Sequence, residues 1–88
     1  MNINFDYFKV FCQVAESKSI TEAANQLNIS QPAITKTIKL LEEELNTALF
    51  YRKHSGSFLT EEGQNLYNYI KPYYYVYQIT HYTLHYLN

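Results

Sequence analysis

The chain lacks the features that mark secreted, membrane-spanning or metal-stapled proteins. It holds one cysteine, Cys12, in 88 residues, so no disulfide can form within it, and no Cys/His cluster has zinc-ligand spacing. Cys12 reads as a small buried hydrophobe. No segment approaches roughly 20 consecutive apolar residues, and the amino terminus lacks the basic start and apolar run of a signal peptide. A cytoplasmic location without membrane contact is expected. The formal net charge of −1 excludes a uniformly basic nucleic-acid binder. At this length one small domain is expected, near the size where a single core becomes marginal and a partner chain helps.

What is present is a local basic patch and a helical period. Four of the seven Lys and Arg residues, Lys36, Lys39, Arg52 and Lys53, fall within eighteen positions. Phe8, Phe11, Cys12 and Ala15 recur at i, i+3, i+4 and i+7, which predicts a first helix that Asn4 could cap. "SITEAANQLN" opens with Ser19 three residues before Glu22, a capping box, and runs through Ala23, Ala24 and Leu27 to Asn28. Asparagine tolerates the left-handed conformation a reversal needs, and Ile29 is expected to plug the corner. Ser30 is a good N-cap for a third helix, with Pro32 in its first turn. Two helices joined by so short a turn make a helix-turn-helix.

In "SQPAITKTIKLLEEEL" the residues Ile34, Ile38, Leu41 and Leu45 share a narrow arc, which predicts that they face the core. Pro32, Thr35, Lys36 and Lys39 then stand on the solvent side, all in the front half. A helix that enters a major groove end-on brings only its first turns near bases and phosphates. Glu42, Glu43 and Glu44 are tolerated behind them, and Glu43 could pair with Lys39. The plainer reading is an amphipathic helix with solvated charges. Downstream, Leu49–Tyr51 and Ser57–Leu59 flank "KHSG" and predict a short hairpin, with Arg52 and Lys53 at its shoulder. His54 reads as a solvated loop residue, and Thr60 as the cap of a last helix.

"AESKSITEAANQLNISQPAITKTIKLLEEELNTALFYR" followed by "LTEEG" resembles the DNA-binding domain of the LysR-type bacterial transcription regulators over roughly residues 3 to 70. The resemblance implies an all-α fold with a small β-hairpin wing: a winged helix-turn-helix over 1–60, its helix-turn-helix at about 20–39, and a linker helix over 61–88 through which two copies dimerise. It also implies an effector domain that is absent from this chain, together with its small-molecule site. By position, Ser30, Gln31, Pro32, Ala33, Thr35 and Lys36 would approach bases or adjacent phosphates, and Arg52 would hold a phosphate from the wing. Lys39 and Lys53 complete the expected contact set to double-stranded DNA. Departures are visible. Lys36 stands where arginine is common, which replaces a two-bond fork for guanine with a point charge. Asn46 replaces a frequent glycine, and "KHSGSF" lacks the usual arginine near the wing tip.

Eight of the ten tyrosines lie between Tyr67 and Tyr86. Leu66, Ile70, Tyr73, Tyr77, Thr80, Leu84 and Leu87 alternate spacings of four and three, a heptad seam carried past Pro72 by a helix expected to kink there. The first helix should cover this seam up to Ile70, leaving the rest, from Tyr73 to Leu87, for a second copy of the chain. Tyrosine stacking on single-stranded nucleic acid is a weaker reading, because the segment has almost no basic residues. No nucleophile, base and orienting group share a recognisable spacing, so neither enzyme chemistry nor a cofactor is implied. Two rivals stay open. One is an interaction module using this fold without DNA, and the other is the related domain of molybdate-responsive regulators.

Overall fold

The computed structural model describes residues 5–86. Four helices and one hairpin follow in the order α1 (Phe5–Glu16), α2 (Ile20–Leu27), α3 (Gln31–Leu45), β1 (Phe50–Lys53), β2 (Gly56–Leu59) and α4 (Glu61–Tyr86). Asn4 and Leu87 lie outside the described residues. The fold is thus the winged helix-turn-helix with a long final helix.

Local chemistry sets the element ends. Ser19 Oγ accepts the Glu22 N–H at 3.1 Å, and Ser30 Oγ accepts the Ala33 N–H at 3.2 Å. Both caps satisfy amide groups that the first turn leaves without helical partners. Asn28 and Asn46 close α2 and α3 in the left-handed conformation, at φ 56° and 52°. Asn46 therefore does what the more usual glycine would do.

The core is built around α1, which packs against α2, α3 and α4. Phe11, Cys12 and Val14 from α1 meet Ala23 and Ala24 from α2, Ile34, Ile38 and Leu41 from α3, Leu49, and Tyr74 from α4. Covered from several sides, α1 buries a wider stripe than one i, i+3, i+4 face. Val14 is fully inside, whereas Phe8 and Ala15 are half-buried. Leu45 is also half-buried, because α3 is leaving the core at its last turn.

Two expectations fail, one in a turn and one on α3. Ile29 is 39% exposed and not among the side chains packed on the core; the corner is closed by backbone bonds, Asn28 N–H to the Asn25 carbonyl and Ile29 N–H to the Ala24 carbonyl. Those bonds supply the closure a side chain would otherwise provide. Lys39 makes no ion pair with Glu43; among the described residues the ion pair is Lys9 with Asp6, at 3.3 Å. Lys39 and Glu43 are both exposed, where such a pair gains little over hydration.

The hairpin pairs Phe50 with Leu59 through Lys53 with Gly56. Gly56 has φ +136°, and a Cβ there would stand 2.8 Å from the Lys18 carbonyl oxygen, so the wing sits against the loop between α1 and α2. Thr60 ties wing to helix: its hydroxyl donates to the Ala48 carbonyl at 2.7 Å and accepts the Gly63 N–H at 3.0 Å.

Helix α4 runs without interruption through Pro72. Its cover by α1 does not end at Ile70 as expected. Tyr74 is 3% exposed, its hydroxyl lies 3.3 Å from Gln13 Oε1, and Tyr77 packs on Phe5 with ring centroids 5.1 Å apart. The buried side of α4 passes through Ile70, Tyr74 and Tyr77, one residue off the Tyr73 position, because α1 approaches the seam from its flank.

Candidate nucleic-acid interface

The outer face of α3 is assembled by its own amphipathic pattern. With Ile34, Ile38 and Leu41 committed to the core, Gln31, Pro32, Thr35, Lys36 and Lys39 are exposed, as is the capping Ser30. Ala33 is half-buried and contributes its N–H to the cap. The exposed groups lie in the front of the helix, whose N-terminal amides and dipole favour an anion.

The wing completes the surface. A cleft of about 230 Å³ is lined by Thr21 and Gln31 from the helices and by Arg52, Lys53 and Ser57 from the hairpin. A second, of about 320 Å³, is lined by Thr35 and Lys39 facing Tyr51 and Arg52. Arg52 borders both, so the structure gathers the basic wing and the polar start of α3 into one concave face. Tyr51 and Phe58, paired across the hairpin, stack with centroids 5.8 Å apart. Lys53 Nζ stands 5.6 Å from the Tyr51 ring and 6.0 Å from the Phe58 ring. This holds one ammonium on the aromatic wall of the wing.

Two contacts of this face were missed by pattern reading. Gln31 Nε2 donates to Thr21 Oγ1 at 3.2 Å, which fixes the amide across the helix-turn-helix corner. Glu42, expected to be merely tolerated, accepts the Leu49 N–H at 2.6 Å and the Phe50 N–H at 3.2 Å. It holds the entry to β1 and hence the height of the wing. The signal for Thr21 was a hydroxyl in the first turn of α2; nothing in sequence pointed to Glu42's partners.

Behind the interface, burial and the nearby Glu16 carboxylate push the Cys12 thiol up to about 12. The thiol is therefore protonated and unreactive at neutral pH. No group of three or more His, Cys, Asp or Glu side chains among the described residues could hold a metal ion. No helix among them is long and apolar enough to cross a membrane.

This fold and face define a winged helix-turn-helix of the bacterial regulatory type. Residues 5–64 match the family described as bacterial regulatory helix-turn-helix protein, lysR family, and the chain belongs to that family. It is 45% identical over 67 residues to the uncharacterized HTH-type transcriptional regulator YoaU of Bacillus subtilis, covering 75% of this chain and 23% of YoaU. It is 46% identical over 61 residues to the HTH-type transcriptional regulator BudR of Klebsiella aerogenes, covering 69% of this chain and 43% of BudR. The chain thus spans less than half the length of these curated relatives. Among solved structures, the CbnR DBD–DNA complex superposes with a TM-score of 0.78 at 31% identity, over 89% of this chain and 90% of that one. The BenM DBD/benA site 1 DNA complex does so with a TM-score of 0.77 at 35% identity, over 92% and 95%. An interaction module without DNA is not favoured by these likenesses.

Proposed function

We infer that this chain reads duplex DNA as part of a bacterial transcription regulator, working as a cytoplasmic homodimer without catalysis or cofactor. The observation that carries the reading is the single concave face shared by the start of α3 and the wing, with Gln31 and Thr35 on one side and Arg52 and Lys53 on the other. In this reading Ser30, Gln31, Pro32, Ala33, Thr35 and Lys36 enter the major groove while Lys39, Arg52 and Lys53 meet phosphates. The domain over 1–60 does the reading, and the segment over 61–88, with α4, joins two copies.

Tyr73, Thr80 and Leu84 are the exposed members of the proposed seam, at 61% for Tyr73 and 60% for Leu84. Ile70 and Tyr77 stand at its inner flank against the chain's own domain, and Leu87 lies outside the described residues. Apolar groups in such a row on a small domain favour a partner helix.

Selection of duplexes from a random pool, followed by a salt titration, tests the reading. Gln31→Ala and Thr35→Ala should relax base choice, each good base contact being worth about 1–3 kcal/mol of discrimination. Arg52→Ala should weaken all duplexes alike and reduce the salt slope by about one. A flat salt dependence, or equal losses on selected and random duplexes for both the Gln31 and Thr35 variants, would reject it.

A further inference from the structure

His81 and His85 stand one turn apart near the end of α4, both exposed, with imidazole centroids 4.2 Å apart and planes inclined at 41°. One turn earlier Tyr77 stacks on His81, centroids 5.8 Å apart and planes 18° from parallel. Tyr77 is itself held by Phe5 and by the Lys9 ammonium, which donates to its hydroxyl at 3.3 Å. The three rings form a column along one helix face, anchored at its inner end on α1. Side chains already ordered in this way lose less freedom when they close on a ligand.

Neither imidazole makes a hydrogen bond or ion pair with the described residues. A neutral imidazole offers one ring lone pair, and two histidines at i and i+4 on a helix converge on one ion. With metal–nitrogen bonds of about 2.0–2.1 Å, neighbouring ligand nitrogens of a tetrahedral ion lie about 3.4 Å apart. Small side-chain rotations bring that spacing within reach of rings 4.2 Å apart. Among the described residues the thiol of Cys12 is 0% exposed in the core, and His54 lies far off in the wing turn.

We propose that His81 and His85 form a chelating pair for a late divalent transition-metal ion, such as zinc(II) or copper(II), one ion per chain with water in the remaining positions. Imidazole selects these ions over magnesium and calcium, which take oxygen ligands. Both ligands must be helical to meet, so the ion staples the last turns of α4, the stretch that α1 does not reach.

Calorimetric titration of the untagged chain with zinc(II) and copper(II), with electron paramagnetic resonance of the copper form, tests the site. One ion per chain, a two-nitrogen copper spectrum and a rise in helical circular dichroism are expected, with no uptake of magnesium. His81→Gln and His85→Gln should each lower affinity at least about tenfold, no less than loss of an outer-shell partner does, while His54→Gln leaves it unchanged. Equal uptake by the double variant, no uptake by the unaltered chain, or half an ion per chain would each overturn the proposal.

Discussion

The two ends of α4 are made of the same residues and behave oppositely. In the inner part, Tyr67 and Tyr75 both donate to Glu16 Oε2, at 2.7 and 3.0 Å, and Tyr74 is buried. In the outer part, Ile79, Tyr82, Leu84 and Tyr86 are 67%, 55%, 60% and 69% exposed. Composition cannot explain the difference; length can. At 1.5 Å per residue α4, with 26 residues, is about 39 Å long, while α1, with 12, is about 18 Å. A helix half as long covers half of its neighbour, and tyrosines beyond its end have nothing within the chain to meet. Tyrosine suits this double use because its ring can be buried while its hydroxyl keeps a polar partner or water.

The contrast should break most sharply at Tyr74. Tyr74→Ala removes a buried ring that α1 surrounds, and about 3 kcal/mol of stability should be lost, measured by urea unfolding. Next comes an alkaline transition in the inner half. Burial, with Glu16 second, pushes both the Cys12 thiol and the Tyr74 hydroxyl up to about 12, from ordinary values of 9.0 and 10.0. The unfolded chain therefore ionises first, so the stability these groups contribute is intact below pH 9 and declines as pH rises toward about 12. Cys12→Ala should flatten the start of that decline, measured by urea unfolding at a series of pH values.

At the outer end the seam itself is the target. Leu84→Glu should convert a dimer to monomers in sedimentation and cost more affinity for a two-half-site duplex than for one half-site. Leu84 serves better than Tyr77 here, since Tyr77 touches Phe5 and Lys9 and its loss would also disturb the monomer. A smaller effect is expected at the hydroxyl network: Glu16→Gln should cost about 1 kcal/mol, because Glu16 is exposed and water replaces part of what is lost. Smallest of all, Tyr82→Ala should change monomer stability by no more than about 0.5 kcal/mol. A loss at Tyr82 as large as at Tyr74 would erase the distinction between the two ends.

A similar division runs along α3 and shows how far pattern reading reaches. The arc of Ile34, Ile38 and Leu41 is periodic, so the exposed side of the helix, with Gln31, Thr35, Lys36 and Lys39, follows from 3.6 residues per turn. Glu42 carries no such signal. Its carboxylate meets amides seven and eight residues later only because Asn46 turns the chain back at that point.

By itself, the sequence determined the helix starts at Ser19 and Ser30, the left-handed stops at Asn28 and Asn46, the hairpin around His54 and Ser55, and the polar front of α3. Each is decided within one or two turns of chain, where caps, φ preferences and side-chain period act directly. Tertiary structure alone decided that Thr21 holds Gln31, that Glu42 sets the wing, and that cover of α4 runs through Tyr74 instead of ending at Ile70. The first two depend on how neighbouring elements meet across the turns at Asn28 and Asn46, and the third on where α1 ends and how it meets α4, spatial relations that no local period encodes.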